Sequence, residues 1–377
     1  MENLFFIVMQ LTERIPWIDE SKGFILLLVC LFHLEQSFAN IQMGMLHCSA
    51  FRMSAFFYLS GMLFSNRRFP RFLEYLKHKT KVLLVPYILL SLLFLAMDPV
   101  LYHFAKFFPL SPKMSVLGIH PDIQNVWQYI GWNLAKIFVA GKSSVGAGPL
   151  WFVFNLYGVS LLFFAAHKIT SGKKMPLLLL AALGMAGGWL SNRYAIHLPW
   201  GIERILTTFF FFAMGYISKG FLFALGNAKI FLLVASALLF AVLYAFFETP
   251  DPNFSIMNNA LGKNFLPFLF SSLTGTWGIL SLFLLANRFP KVFCFSLFQG
   301  ILRNISRNGM IILAVHWWIL LVLRIVFKSV LDKPGTVYFA IPIVIVGVIC
   351  AIPLFRCKFY RLIAKEKISV SSSLSIR

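Results

Sequence analysis

Apolar runs separated by short polar connections recur along the whole chain. A helix rising about 1.5 Å per residue needs about 20 mostly apolar residues to cross a hydrocarbon core of about 30 Å. Ten stretches reach or approach that length: 20–38, 43–65, 82–104, 149–167, 175–191, 204–218, 229–247, 265–286, 309–330 and 337–355, the fifth and sixth being short. The pattern predicts an all-α polytopic membrane bundle of about ten spans, one domain over residues 1–377. One long connection, 105–148, breaks the rhythm. Inside it Val126 to Ala140 carries a helical apolar stripe with Trp127, Trp132 and Lys136 and ends in a Gly-rich exit, which predicts an interfacial or re-entrant helix covering a site.

Composition supports the membrane reading. With 59% hydrophobic and 12% charged residues the chain has about half the charge an ordinary soluble surface carries. Soluble, disordered and nucleic-acid-binding classes fall on that ground, despite a formal net charge of +21. The basic residues lie between the apolar runs, where they report topology. With the N-terminus inside, the inner segments hold Arg14 and Lys22, the Arg67–Lys81 group, Lys168, Lys173, Lys174, Lys219, Lys229, Arg288, Lys291, Arg303, Arg307 and a basic tail over 356–377, in all 23 of the 34 Lys and Arg residues. Both termini are expected in the cytoplasm. The apolar stretch Leu4 to Leu11 lacks the basic n-region and cleavage site of a signal peptide, and is expected at the interface or leading into the first span. Five cysteines show no Cys-x-x-Cys or Cys/His ligand spacing, so no metal site is expected.

Ionisable residues inside spans cost roughly 2.5 to 3.5 kcal/mol each on insertion scales and mark candidate sites. Four stand out: His33, Arg52, His316 and Arg324. Asp19, Lys22 and His33 lie 3, 11 and 14 residues apart, near whole turns, so they share one helix face leading from the inner surface to a histidine. Histidine, with a pKa near 6.5, suits proton transfer from a hydroxyl; an interhelical hydrogen bond in a bundle core is the plainer use. Arg52 sits near mid-span, one turn before Phe56-Phe57-Tyr58-Leu59-Ser60-Gly61, and Ser60 could touch substrate or let helices approach. Trp151 follows Gly148-Pro149 at an interface position. Arg204 stands at the outer end of its span against the topology bias, which favours a use on an anionic sugar or an acyl oxyanion. His316 is flanked by Trp317 and Trp318, and Arg324, nearer the outer interface, is expected to snorkel.

These residues carry a resemblance. Arg14, Trp17, Asp19, Lys22-Gly23 and His33, then Phe56-Phe57-x-x-Ser60-Gly61, Leu150-Trp151-Phe152, Met214-Gly215-Tyr216, and Ser306-Arg307-Asn308-Gly309 with Leu313-x-x-His316, resemble in order the blocks of membrane acyltransferase family 3, the bacterial integral-membrane O-acyltransferases. The likeness runs from residue 14 to about 320 and is nearest the fucose-acetylase-related, surface-polysaccharide branch. It implies transfer of an acyl group, usually acetyl, from cytosolic acyl-CoA to a sugar hydroxyl of a lipid-linked or exported glycan, in the inner membrane. His33 would be the catalytic histidine, with Asp19 setting the charge of its entrance. The donor acetyl-CoA would be a substrate, with no permanently bound cofactor. Many relatives have His-Met-Pro where this chain has Arg52-Met53-Ser54, and Arg-x-x-Arg where this chain has Lys77 to Lys81 before Leu84-Val85-Pro86-Tyr87.

On this reading Arg68, Arg71, Lys77 and Lys81 hold the donor phosphates, and Arg14, Lys22, Arg52, Ser60, Trp151, Arg204 and His316 line the substrate path. The partners expected are membrane lipids, acyl-CoA and the glycan acceptor; a homo-oligomer is compatible with the sequence. A transporter for a glycan precursor, or a non-catalytic scaffold of a polysaccharide synthase, would share the bundle and the buried charges, although no internal repeat marks a transporter.

Overall fold

Proline begins the first helix of the bundle. Pro16 at its first turn has no N–H to leave unsatisfied, and helix α1, Pro16–Ser37, runs 22 residues from there. The computed structural model describes residues 15–38, 41–66, 69–103, 115–248, 251, 254–262, 265–289, 293–326 and 335–357. Arg14, Arg68, Leu4 to Leu11 and the tail from 358 onward lie outside the described residues.

After α1 come α2 (Ser49–Met62), α3 (Phe72–Lys79), α4 (Val85–His103), α5 (Val126–Phe138), α6 (Trp151–Ile169), α7 (Lys174–Arg193), α8 (Ile202–Gly226), α9 (Ile230–Phe247), α10 (Phe265–Ala286), α11 (Phe293–Arg307), α12 (Gly309–Val326) and α13 (Ala340–Cys357). Among the described residues, seven helical segments are long and apolar enough to cross a membrane: Phe72–Val100, Gly148–Ile169, Lys174–Arg193, Pro199–Gly226, Ile230–Phe247, Phe265–Ala286 and Gly309–Val326. The fifth and sixth expected spans, short in the sequence pattern, are full-length helices. The first expected span is α1, whose opening turns carry Asp19, Glu20 and Lys22. The second shrinks to a 3-10 turn at Met45–Cys48 and the 14-residue α2. The tenth contains the shorter apolar helix Ala340–Pro353.

One departure from regular helix has a local cause. A π-turn at Thr80–Leu84 joins α3 to α4 immediately before Pro86, which cannot donate and whose ring crowds the preceding turn; the wider turn absorbs that misfit. Helix α5 starts at Asn125, whose side chain accepts from the Gln128 N–H at 2.9 Å, and it forms where the long connection predicted it.

Helices α2 and α8 cross at glycines. A Cβ on Gly61 would collide with the Phe212 carbonyl, and one on Gly215 with the Tyr58 carbonyl, so the backbones touch there as only small residues permit. Phe64, just past α2, is ringed by Tyr75, Phe163, His167, Phe212 and Tyr216 at centroid distances of 5.9, 4.8, 5.3, 6.4 and 5.9 Å, edge-on or tilted as aromatic quadrupoles favour. Helix α9 leaves Leu238, Val242 and Phe246 exposed, which suits lipid contact.

Helix α11 falls in what the sequence pattern treats as an inner connection. It turns its polar side inward: Arg303 Nη1 lies 3.6 Å from the buried Glu20, Gln299 donates to Glu20 at 3.3 Å, and Ser306 donates to Asp19 at 3.3 Å. Leu302 is fully buried against α1, whereas Leu297, Phe298 and Ile301 are exposed.

Candidate active site

Near its C-terminal end α1 brings His33 against α12. The His33 ring centroid lies 5.4 Å from that of His316 and 4.9 Å from that of Trp317, the latter in an edge-to-face arrangement. His316 is fully buried, and its Nδ1 contacts the Ile312 carbonyl at 2.6 Å. Because a carbonyl only accepts, Nδ1 carries the proton and Nε2 is left as an acceptor. Neither that Nε2 nor His33 Nδ1 has a hydrogen-bond partner, although both are shielded from solvent. Buried polar atoms are rarely left unpaired, so two such nitrogens on neighbouring rings mark a place built for another group.

Arg52 reaches the same neighbourhood from α2. Its guanidinium carbon lies 3.8 Å from the centroid of Phe32, next to His33, and Nη1 donates to the Met45 carbonyl at 3.2 Å. The turn at Met45 is held by Glu35, two residues beyond His33, whose Oε2 accepts from the backbone N–H of Met43 and Met45 at 3.1 and 3.0 Å. The aromatic blocks also converge: Phe152 packs on Phe56 and Phe57 at 5.2 and 5.1 Å. Trp151, expected at an interface, is buried at the start of α6.

Other expected site residues lie elsewhere. Asp19 is 14 residues from His33, about 21 Å along the helix, and faces α11. Lys22 stands on the same early turns of α1. Ser60 spends its hydroxyl on the Phe56 carbonyl at 2.8 Å. Arg204 is fully buried with its guanidinium aimed at backbone: Nη2 donates to the Ala140 carbonyl at 2.6 Å and Nη1 to the Met257 carbonyl at 3.1 Å. That places it in a clasp between the 139–142 and 255–260 segments. Among the basic candidates, Arg71 sits 4.0 Å from Glu74 on exposed surface, and Lys77 and Lys81 follow on α3 and the π-turn.

Sequence reasoning missed Asp98, Tyr129 and the segment Ser143–Gly148. Asp98 is fully buried on α4, and its Oδ2 accepts from Tyr129 Oη at 3.0 Å and from the Gly146 N–H at 3.3 Å. Trp317, packed on His33, donates from Nε1 to the Val145 carbonyl at 2.9 Å. An acid flanked by Met97 and Pro99 reads in sequence as the exit of a span, and only the Gly-rich run after α5 hinted at close packing there.

A family model described as an acyltransferase domain, acyltransferase family 3, matches residues 15–356. The chain belongs to membrane acyltransferase family 3. Thus His33, Arg52 and His316 lie within the domain of a multi-pass membrane acyltransferase, and so do both halves of the α1–α12 contact. No curated protein and no solved structure matches the chain.

Proposed function

We propose that this acyltransferase moves an acyl group, acetyl in the first instance, from cytosolic acyl-CoA to a sugar hydroxyl of a lipid-linked or exported surface glycan in a bacterial cytoplasmic membrane. The observation that carries this reading is the unpartnered, solvent-shielded His33 Nδ1 beside His316 and Trp317 within an acyltransferase domain. A histidine there can take the proton of a sugar hydroxyl as its oxygen attacks the thioester carbonyl. The C–S bond then breaks, and the thiolate of CoA leaves with that proton. The same imidazole can instead carry the acyl group between donor and acceptor, in two steps of the same overall balance. Arg52, whose guanidinium stands over the adjoining Phe32 ring, is assigned to the developing oxyanion. Arg71, Lys77 and Lys81, with Arg68, are assigned to the donor phosphates, where basic side chains both attract and hold.

The test is transfer of radiolabel from acetyl-CoA into total surface glycan, in membranes holding matched amounts of wild type or His33→Ala. General acid–base catalysis contributes about 100-fold or more, so label should enter glycan with wild type and fall by at least that factor in the variant. Equal incorporation by the two proteins removes His33 from the chemistry. Wild type that binds acetyl-CoA yet labels no glycan removes the glycan acceptor.

A further inference from the structure

We propose that Asp98 is a positioning residue for His33: it pins the strap Ser143–Gly148 against α12, and the strap in turn fixes Trp317 on the His33 ring. The proposal rests on the reading of His33 as the reacting group.

The strap is tied from both sides. On one side Asp98 Oδ2 accepts from the Gly146 N–H and from Tyr129 Oη, and Asn133 of α5 accepts from the Val145 N–H at 3.2 Å while donating to the Tyr129 carbonyl at 3.0 Å. On the other side the Val145 carbonyl accepts from Trp317 Nε1, and Trp317 stands edge-on to His33. Within the strap, Ser143 Oγ donates to the Gly148 carbonyl at 2.8 Å. Three contacts therefore run from α4 to the imidazole: Asp98 to Gly146, Val145 to Trp317, and Trp317 to His33. Gly146 is the pivot: a Cβ there would overlap Asp98 Oδ1 and sit 3.2 Å from Trp318 Cδ1, so the peptide lies as close to both as an unsubstituted Cα allows. A carboxylate binds two donors more strongly than a neutral acceptor does, which explains an acid in an otherwise apolar helix. The positive charge of Lys136, buried on α5, acts on the same carboxylate.

The chain of contacts makes His33 exposure depend on an atom three groups away. Full-length protein in detergent is treated with diethylpyrocarbonate, and carbethoxylation of His33 is followed by mass spectrometry relative to the exposed His47. Losing both acceptor bonds in Asp98→Ala should speed His33 labelling about fivefold, and the single bond lost in Tyr129→Phe about twofold. Asp98→Asn, whose amide oxygen can accept both bonds, should remain within about twofold of wild type. Acetyl transfer, measured in parallel, should follow the same order, with kcat falling while the KM for acetyl-CoA holds. Unchanged labelling in Asp98→Ala, or Asn as disruptive as Ala, overturns the clasp; should the Ala variant fail to accumulate, Tyr129→Phe at the wild-type rate does so. The labelling result stands even if wild type transfers no acetyl group, an outcome that would count against the proposed function alone.

Discussion

Arg52 and Arg204 are both arginines buried in helices, and the sequence places both on the substrate path. Their surroundings differ in kind. Arg204 meets fixed backbone acceptors, the carbonyls of Ala140 and Met257, with Gly201 closing over its guanidinium and Thr208 bonded to its own carbonyl at 2.8 Å. Arg52 instead stands over the Phe32 ring, which adjoins an imidazole with an unpartnered nitrogen, and donates to one carbonyl of a turn that Glu35 holds. A buried charge is costly unless its donors are satisfied. Where backbone carbonyls take both terminal nitrogens, leaving only Nε unpartnered, the charge becomes a staple between loops. Where a ring face supports it, the charge remains near the place where chemistry would generate an anion.

The largest effect should come from breaking the staple. Arg204→Met leaves the Ala140 and Met257 carbonyls without their donors inside the fold, and charge-assisted bonds of this sort contribute about 3 kcal/mol together. Thermal unfolding in detergent should show a clearly lowered midpoint, with the same loss whether or not acetyl-CoA is added. A variant with a wild-type midpoint but no transfer would return Arg204 to the active site and erase the contrast.

Arg52→Gln is the counterpart. If Arg52 stabilises an oxyanion, its removal should cut transfer about 100-fold, as losing one such donor does elsewhere. The unfolding midpoint should move little, because only the cation–π contact and one hydrogen bond to Met45 are lost. A large drop in midpoint with proportionate loss of activity would make Arg52 a second staple.

How much of this could be read in the chain follows from which forces were local. The helices of the bundle were legible because lipid demands continuous apolar length, and the α5 helix because its stripe and Asn125 cap sit together in sequence. Neighbourhood across helices was not. Asp19, Lys22 and His33 fall on whole turns of α1, yet α11 meets the first and α12 the last, and nothing within α1 announces two different neighbours. Helix α11 escaped because its polar residues face inward to Glu20, while a surface helix is usually recognised by the opposite arrangement. Asp98 escaped for a related reason: its value comes from Tyr129 and Gly146, 31 and 48 residues away, and an isolated acid before a proline gives no sign of either.

The smallest effect also tests the Arg204 region. Lys142 lies in its clasp, with Nζ donating to Asn258 Oδ1 at 3.0 Å, and burial, aided by the Arg204 charge and opposed by Glu203, lowers its pKa from 10.5 to about 8. A lysine that sheds its proton sooner folded than unfolded penalises the fold fully below pH 8. The penalty fades as pH rises through the window from 8 to 10.5, because there the unfolded chain binds the extra proton. Wild type should therefore gain stability between pH 7 and pH 9.5 relative to Lys142→Met, and the variant should be modestly the more stable at pH 7. The amine is partly exposed, so screening keeps the difference to a small shift in the unfolding midpoint. Parallel curves for the two proteins across that window would show that neither burial nor the Arg204 charge lowers the Lys142 pKa, and that the clasp is held by its hydrogen bonds alone.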